Sequence, residues 1–118
     1  MIPALKVYLK IAWACKTPLV FLLDYKYETI TKTLMRQFYD WMPSLDYIPE
    51  KRDCDNFGFI YKGIADRTTN AVGLVIGRTT GWHLWNMALT EEGVEQLEPQ
   101  NGKIVTKNKH YWAWAVII

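Results

Sequence analysis

The segment at residues 53–66, DCDNFGFIYKGIAD, decides the predicted fold because it lies where helical patterning gives way to strands. Asp53 is a preferred N-cap residue, so a helix is expected to run from Cys54 to about Asp66. Before this segment, apolar residues recur at helical spacing over Thr29–Met42, and Pro43 ends the run. The sequence therefore predicts two helices ahead of residue 70.

Beyond residue 70 the apolar pattern changes to short strands separated by turns, of which Asn101-Gly102 is a strong hairpin signal. The predicted strands are Ala71–Gly77, Trp82–Thr90, Val94–Glu98, Lys103–Thr106 and Trp112–Ile118. Near the N-terminus, Ala4–Ala14 fits either a strand or a short helix, and Leu19–Leu23 fits a buried strand. Helices followed by an antiparallel sheet define an α+β fold.

The chain has 118 residues, which suits one domain over residues 1–118. Its net charge of +2 is spread along the sequence, so nucleic-acid binding is not predicted. Three lysines interrupt the apolar stretch at residues 2–23, so neither a membrane span nor a signal peptide is predicted. Cys15 and Cys54 are expected to be free thiols, and a cytoplasmic location is expected. The oligomeric state stays open.

A thiol, an imidazole and a carboxylate follow one another along the chain as Cys54, His83 and Glu98. At a helix N-terminus, unpaired backbone N–H groups and the helix dipole favour the thiolate of Cys54. Adjacent Asp53 and Asp55 oppose a further negative charge, so a nearby imidazolium is needed, and His83 is the candidate. If their strands pair antiparallel, Glu98 lies one or two residue pairs from His83, although a one-residue slip would turn it away. This order matches a nucleophile, a base and an orienting group.

Each of these residues also has an ordinary structural interpretation. A single cysteine is most often a small buried hydrophobic residue, although its acidic neighbours argue against a dry core position for Cys54. Trp82, Trp85 and Asn86 are the candidate substrate-binding residues, but aromatic residues at alternating positions more often pack within a sheet. No cysteine and histidine spacing matches a zinc site.

Taken together, three motifs resemble the papain-like C-terminal domain of the Marasmius oreades agglutinin and its short bacterial and phage relatives. The resemblance extends from about residue 19 to residue 118. The motifs that carry it are Asp53-Cys54-Asp55-Asn56-Phe57, His83-Leu84-Trp85-Asn86 and Leu97-Glu98-Pro99-Gln100-Asn101-Gly102.

The resemblance implies a papain-like fold, in which the helix that bears the nucleophile packs on an antiparallel sheet, and a cysteine peptidase acting on a peptide or protein substrate. Cys54 would be the nucleophile, His83 the base and then the acid, and Glu98 the orienter. Calcium is a further implication, since acidic residues such as Glu50, Asp53, Asp55 and Asp66 offer oxygen ligands, but no spacing here matches a known calcium loop. A cell-wall peptide endopeptidase or amidase, and a catalytically inactive papain-like binding module, are the alternatives.

Overall fold

Three helices and eight strands make up the chain, and the computed structural model describes all of residues 1–118. None of the helices is long and apolar enough to cross a membrane. The helices are α1 (Ala4–Cys15), α2 (Lys32–Asp40) and α3 (Cys54–Asp66). The strands are β1 (Ile2–Pro3), β2 (Val20–Phe21), β3 (Lys26–Tyr27), β4 (Val72–Arg78), β5 (Trp82–Thr90), β6 (Gly93–Glu98), β7 (Lys103–Ile104) and β8 (Trp112–Ile117).

A six-stranded sheet forms the centre of the fold, in the order β2-β8-β4-β5-β6-β7. Neighbouring strands run antiparallel except β2 and β8, which pair in parallel. β1 and β3 form a separate antiparallel pair. The sheet and the inner faces of the helices share one core, whose largest fully buried side chains are Trp85, Tyr27, Tyr61 and Phe38. The predicted α+β class is confirmed.

The N-terminal segment, for which the sequence allowed either a strand or a helix, forms α1. Val7, Ile11 and Cys15 recur every four residues and are buried in the core. The opposite face carries Leu9 and Trp13 in exposed positions, so the apolar pattern of this segment covers both sides of the helix. The structure thus has three helices rather than the two that the sequence predicted.

The predicted buried strand at Leu19–Leu23 is shorter and more exposed than expected. Only Val20 and Phe21 form β2, at the edge of the sheet, where they pair with the end of β8. Phe21 and Leu23 are exposed, because an edge strand has a neighbour on one side only.

The other predicted elements are confirmed, with small shifts of their ends. Thr31 caps α2 through its Oγ1, which accepts a backbone N–H at 3.0 Å. The strand predicted at Trp82–Thr90 matches β5. The one predicted at Lys103–Thr106 is cut to β7, because Thr106 instead accepts the backbone N–H of Gln96 through its hydroxyl.

The position of α3 is fixed at its start and along its length. It begins at Cys54, as predicted, with Asp53 as the N-cap residue. Asn56 Oδ1 accepts the backbone N–H of Asp53 at 3.1 Å. Further along, Asn86 of β5 donates from Nδ2 to the carbonyl of Gly58 at 3.1 Å, which ties the helix to the sheet. These contacts hold Cys54 close to the turn between β4 and β5.

Two glycines of α3 allow a matched test of how closely the helix lies on the sheet. A Cβ at Gly58 would lie 2.0 Å from Cδ2 of Leu84, whereas a Cβ at Gly63 would meet no atom within 4 Å. Gly58→Ala is therefore expected to lower the free energy of unfolding by about 1–3 kcal/mol. Gly63→Ala is expected to raise it by about 0.5–1 kcal/mol. Urea unfolding measures both, and a stabilised Gly58→Ala variant would contradict the close approach.

Candidate functional site

His83 and Glu98 are in direct contact at one end of the sheet. The β5–β6 register places Asn86 opposite Leu97, which turns the next residue, Glu98, towards the face that carries His83. His83 Nε2 is hydrogen-bonded to Glu98 Oε1. The register anticipated from the sequence is thus present, and the imidazole has a carboxylate partner.

The carboxylate of Glu98 is nearly buried and is held by two further donors. The hydroxyl of Tyr111 donates to Oε1 at 2.9 Å, and the backbone N–H of Gln100 donates to Oε2 at 3.3 Å. Burial, together with the hydrogen bond to Glu98, raises the pKa of Tyr111 to about 12. The phenol therefore stays protonated and remains a donor throughout the neutral range. Three hydrogen bonds thus hold the Glu98 carboxylate in place.

The ring of His83 is oriented by its aromatic neighbours as well as by Glu98. Trp85 stacks on it with centroids 5.8 Å apart and an interplanar angle of 25°. Tyr111 meets it nearly edge-on at 6.1 Å. Because Nε2 faces a carboxylate, that nitrogen carries the hydrogen in the neutral ring, and Nδ1 is the basic nitrogen. Nδ1 has no hydrogen-bond partner, so it is free to accept a proton.

Cys54 and His83 line the same cleft, which has a volume of about 450 Å³. Cys54 is the first residue of α3 and is partly buried, so its thiol lies beside the unpaired N–H groups of the helix start. No hydrogen bond joins its Sγ to His83. The remaining lining residues are Tyr47, Thr79, Thr80, Gly81, Trp82 and Gln100.

Two of the expected substrate-binding residues do not fit that role. Trp85 and Asn86 are both 0% exposed. Trp85 Nε1 donates to Gln96 Oε1 at 2.8 Å, and Asn86 bridges α3 and β4 through its amide. Their side chains support the site from within the core and cannot touch a substrate. Trp82 is exposed at the cleft and keeps its predicted role as a candidate.

Sequence reasoning missed the part that Tyr111 plays in this site. The residue lies in the segment before β8, 13 positions after Glu98, and belongs to no recognisable motif. Its only sequence signal is its place just ahead of an aromatic strand that the sheet order brings close to β5. The contact between Tyr111 and Glu98 can therefore be predicted only once the strand order is known.

The remaining candidate ligands and thiols do not form a second site. No group of three or more His, Cys, Asp or Glu residues is positioned to hold a metal. Asp53 and Asp66 lie at opposite ends of α3, so they cannot share a calcium ion, and Asp66 is paired with Lys62 at 3.0 Å. Both cysteines are free, as expected. Burial in the core raises the pKa of Cys15 to about 12, which leaves that thiol unreactive.

Comparison with known proteins gives structural relatives only. Neither a protein-family model nor a curated protein sequence matches the chain. One similar structure is a Polyporus squamosus lectin bound to the human-type influenza-binding epitope Neu5Aca2-6Galb1-4GlcNAc. It has a TM-score of 0.79 and 21% identity, over 97% of this chain and 48% of that chain. Another is PSL1a in complex with E64, with a TM-score of 0.72 and 23% identity, over 84% of this chain and 43% of that chain.

The chain thus spans about half the length of the structures it matches. At this level of identity the similarity establishes a shared fold. The fold is that of a mixed α and β domain found within a lectin.

Proposed function

We propose that the chain is a cysteine-dependent hydrolase of peptide or amide bonds, with the papain-like arrangement that its three motifs resemble. The observation that carries the proposal is the pairing of His83 with Glu98 beside a cleft that Cys54 also lines. Cys54 is the nucleophile, His83 the general base and acid, and Glu98 the group that orients the imidazole. The substrate is a peptide or protein that enters the cleft.

The reaction proceeds through a thioester. His83 Nδ1 takes the proton of the Cys54 thiol, and the resulting thiolate attacks the carbonyl carbon of the substrate. The tetrahedral intermediate then collapses, the carbon–nitrogen bond breaks, and the leaving amine takes that proton from Nδ1. A water molecule gives a proton to Nδ1 and attacks the thioester, which releases the acid and restores the thiol.

Two parts of the structure support these steps. Glu98 accepts the hydrogen on Nε2 and stabilises the imidazolium that forms at each proton transfer. The backbone N–H of Cys54, at the start of α3, is one donor for the negative oxygen of the intermediate. The chemistry of the scheme requires no cofactor, and none of its steps uses calcium.

A catalytically inactive binding module is the second candidate, and the comparisons favour it more than they favour hydrolysis. One of the two similar structures is a lectin bound to a sialylated saccharide. In that case the exposed aromatic residues near the cleft carry the function, and Cys54 is dispensable. The two candidates differ in what the thiol does.

Alkylation by E64 separates them, because its epoxide is opened by an accessible cysteine thiolate. Wild type, Cys54→Ala and Cys15→Ala are incubated with E64 and analysed by mass spectrometry, and each is assayed against a mixture of unstructured peptides. We expect one adduct on wild type and on the matched Cys15→Ala control, and none on Cys54→Ala. Peptide hydrolysis should fall by about 10³-fold or more in Cys54→Ala.

The opposite pattern would favour the binding module. It would consist of no adduct and no hydrolysis by wild type, together with saccharide or peptide binding that Cys54→Ala leaves intact. Circular dichroism of each variant confirms that it is folded before either assay is interpreted.

A further inference from the structure

A row of exposed side chains crosses the sheet at the end where the cleft opens. Arg78 of β4 lies directly opposite Trp82 of β5 on one side and Trp112 of β8 on the other. Directly opposed residues point to the same face of a sheet, so the three side chains form one row. Trp114 packs edge-on against Trp82, with centroids 5.9 Å apart. We refer to these four residues as the tryptophan shelf.

The three tryptophan side chains of the shelf are largely exposed to solvent. Trp82 is 66% exposed, Trp112 is 74% exposed and Trp114 is 54% exposed. Trp85, on the same strand as Trp82, is by contrast fully buried. Contiguous exposed apolar surface of this kind marks a binding site more often than an isolated exposed residue does.

Arg78 gives the shelf a charge that has no partner. Its guanidinium carbon lies 5.8 Å from the ring centroid of Trp82. An arginine over an aromatic ring keeps the N–H edge of its guanidinium available for a carboxylate. Arg78 takes part in none of the ion pairs of the structure, and β4, β5 and β8 contain no Asp or Glu. The surface is therefore complementary to an acidic ligand.

The dimensions of the shelf match a short stretch of extended peptide. Neighbouring strands lie about 4.8 Å apart, so the two strand spacings between Trp82 and Trp112 amount to about 10 Å. An extended chain rises about 3.3 Å per residue, so roughly three residues cover that distance. Trp82 also lines the cleft with Cys54 and His83, which makes the shelf continuous with the proposed site.

We infer that the tryptophan shelf binds the part of the substrate that flanks the scissile bond, and that it selects an acidic peptide. The carboxylate of an Asp or Glu pairs with Arg78, and an aromatic or large apolar side chain within about three residues rests on Trp82 or Trp112. This inference rests on the proposed function for its substrate, but the binding step needs no catalysis.

The test uses two labelled peptides that differ only by Glu or Gln two residues from a tryptophan, since Arg78 lies one strand spacing, about 4.8 Å, from either shelf tryptophan. Their dissociation constants are measured by fluorescence anisotropy with the Cys54→Ala variant, which cannot consume them. We expect the Glu peptide to bind about 10-fold more tightly, as charge-assisted pairing with arginine would give. Adding Arg78→Gln should abolish the difference, and the matched control Arg67→Gln should keep it. Adding Trp112→Ala should weaken the binding of both peptides by the same factor.

The outcomes separate the shelf from the catalytic proposal. Selective binding that depends on Arg78, without hydrolysis by wild type, would support peptide binding by the shelf and contradict the hydrolase proposal. Hydrolysis by wild type with no preference for the Glu peptide, at a rate that Arg78→Gln leaves unchanged, would contradict the acidic-peptide assignment and support the hydrolase proposal. Light scattering that shows a dimer lost in Trp112→Ala, or binding of a neutral saccharide that Trp112→Ala abolishes, would also overturn the acidic-peptide assignment.

Discussion

Replacing His83 with alanine is expected to slow alkylation of Cys54 by iodoacetamide about 100-fold at pH 6. An ordinary cysteine thiol titrates near pH 8.5, so only about 0.3% of it is ionised at that pH. In the proposed site an imidazolium at His83, held by Glu98, stabilises the thiolate of Cys54 and preserves its reactivity. The alkylation rates of wild type and His83→Ala should therefore differ most at the acidic end of the range from about pH 9 to pH 6. In His83→Ala the rate should fall about tenfold per pH unit below about pH 8, because the ionised fraction of a lone thiol does so in that range.

The measurement is the rate of adduct formation at each cysteine, followed by mass spectrometry across that pH range. His110→Ala is the matched control, since His110 is exposed and should leave the profile unchanged. Cys15 is an internal control, because burial raises its pKa to about 12 and it should stay unmodified while the protein is folded. A wild-type rate that already falls tenfold per pH unit would contradict the thiolate–imidazolium pair.

Trp85→Ala is expected to lower the free energy of unfolding by about 3–5 kcal/mol, because it removes a large fully buried side chain. Trp85 also packs edge-on against Tyr111 at 5.1 Å and donates a hydrogen bond to Gln96, so the variant leaves a cavity and an unpaired acceptor. Domains of this size are stable by about 5–15 kcal/mol, so the loss is a large share of the total. Guanidinium unfolding followed by circular dichroism gives the difference.

Trp112→Ala provides the matched comparison for that experiment. Trp112 has the same chemistry but is mostly exposed, so its removal should change the free energy of unfolding by no more than about 0.5 kcal/mol. The same variant is expected to weaken peptide binding. Comparable losses of stability in the two variants would mean that Trp112 is packed rather than displayed, which would contradict the tryptophan shelf.

The sequence anticipated the central part of the candidate site because local signals determine it. The N-cap residue Asp53 predicted the start of α3. The change from helical to strand periodicity near residue 70 predicted that the segment containing β5 is a strand. The short turn between β5 and β6 then fixed the register that brings Glu98 to His83. No long-range information was needed for these steps, since the two strands are adjacent in sequence.

Features that depend on distant contacts were not anticipated. α1 has apolar residues on its exposed face as well as on its buried face, so its sequence shows no clear helical periodicity. The helix is stabilised by packing against the rest of the core, which local sequence does not predict. The burial of Trp85 and Asn86 depends on Gln96 and on α3, neither of which follows from the pattern of β5 alone. The role of Tyr111 depends on a strand order in which β8 crosses back to the centre of the sheet.

The place of β8 between β2 and β4 also bears on how the protein matures during synthesis. Residues 112–117 must leave the ribosome before β8 can pair with β2 and β4. Until then the sheet is incomplete, although α3 and the Cys54 thiol have already left the ribosome. Tyr111 emerges with the same segment, so the carboxylate of Glu98 lacks its phenol donor until then. A nascent chain therefore carries Cys54 beside an incomplete sheet until translation has passed β8.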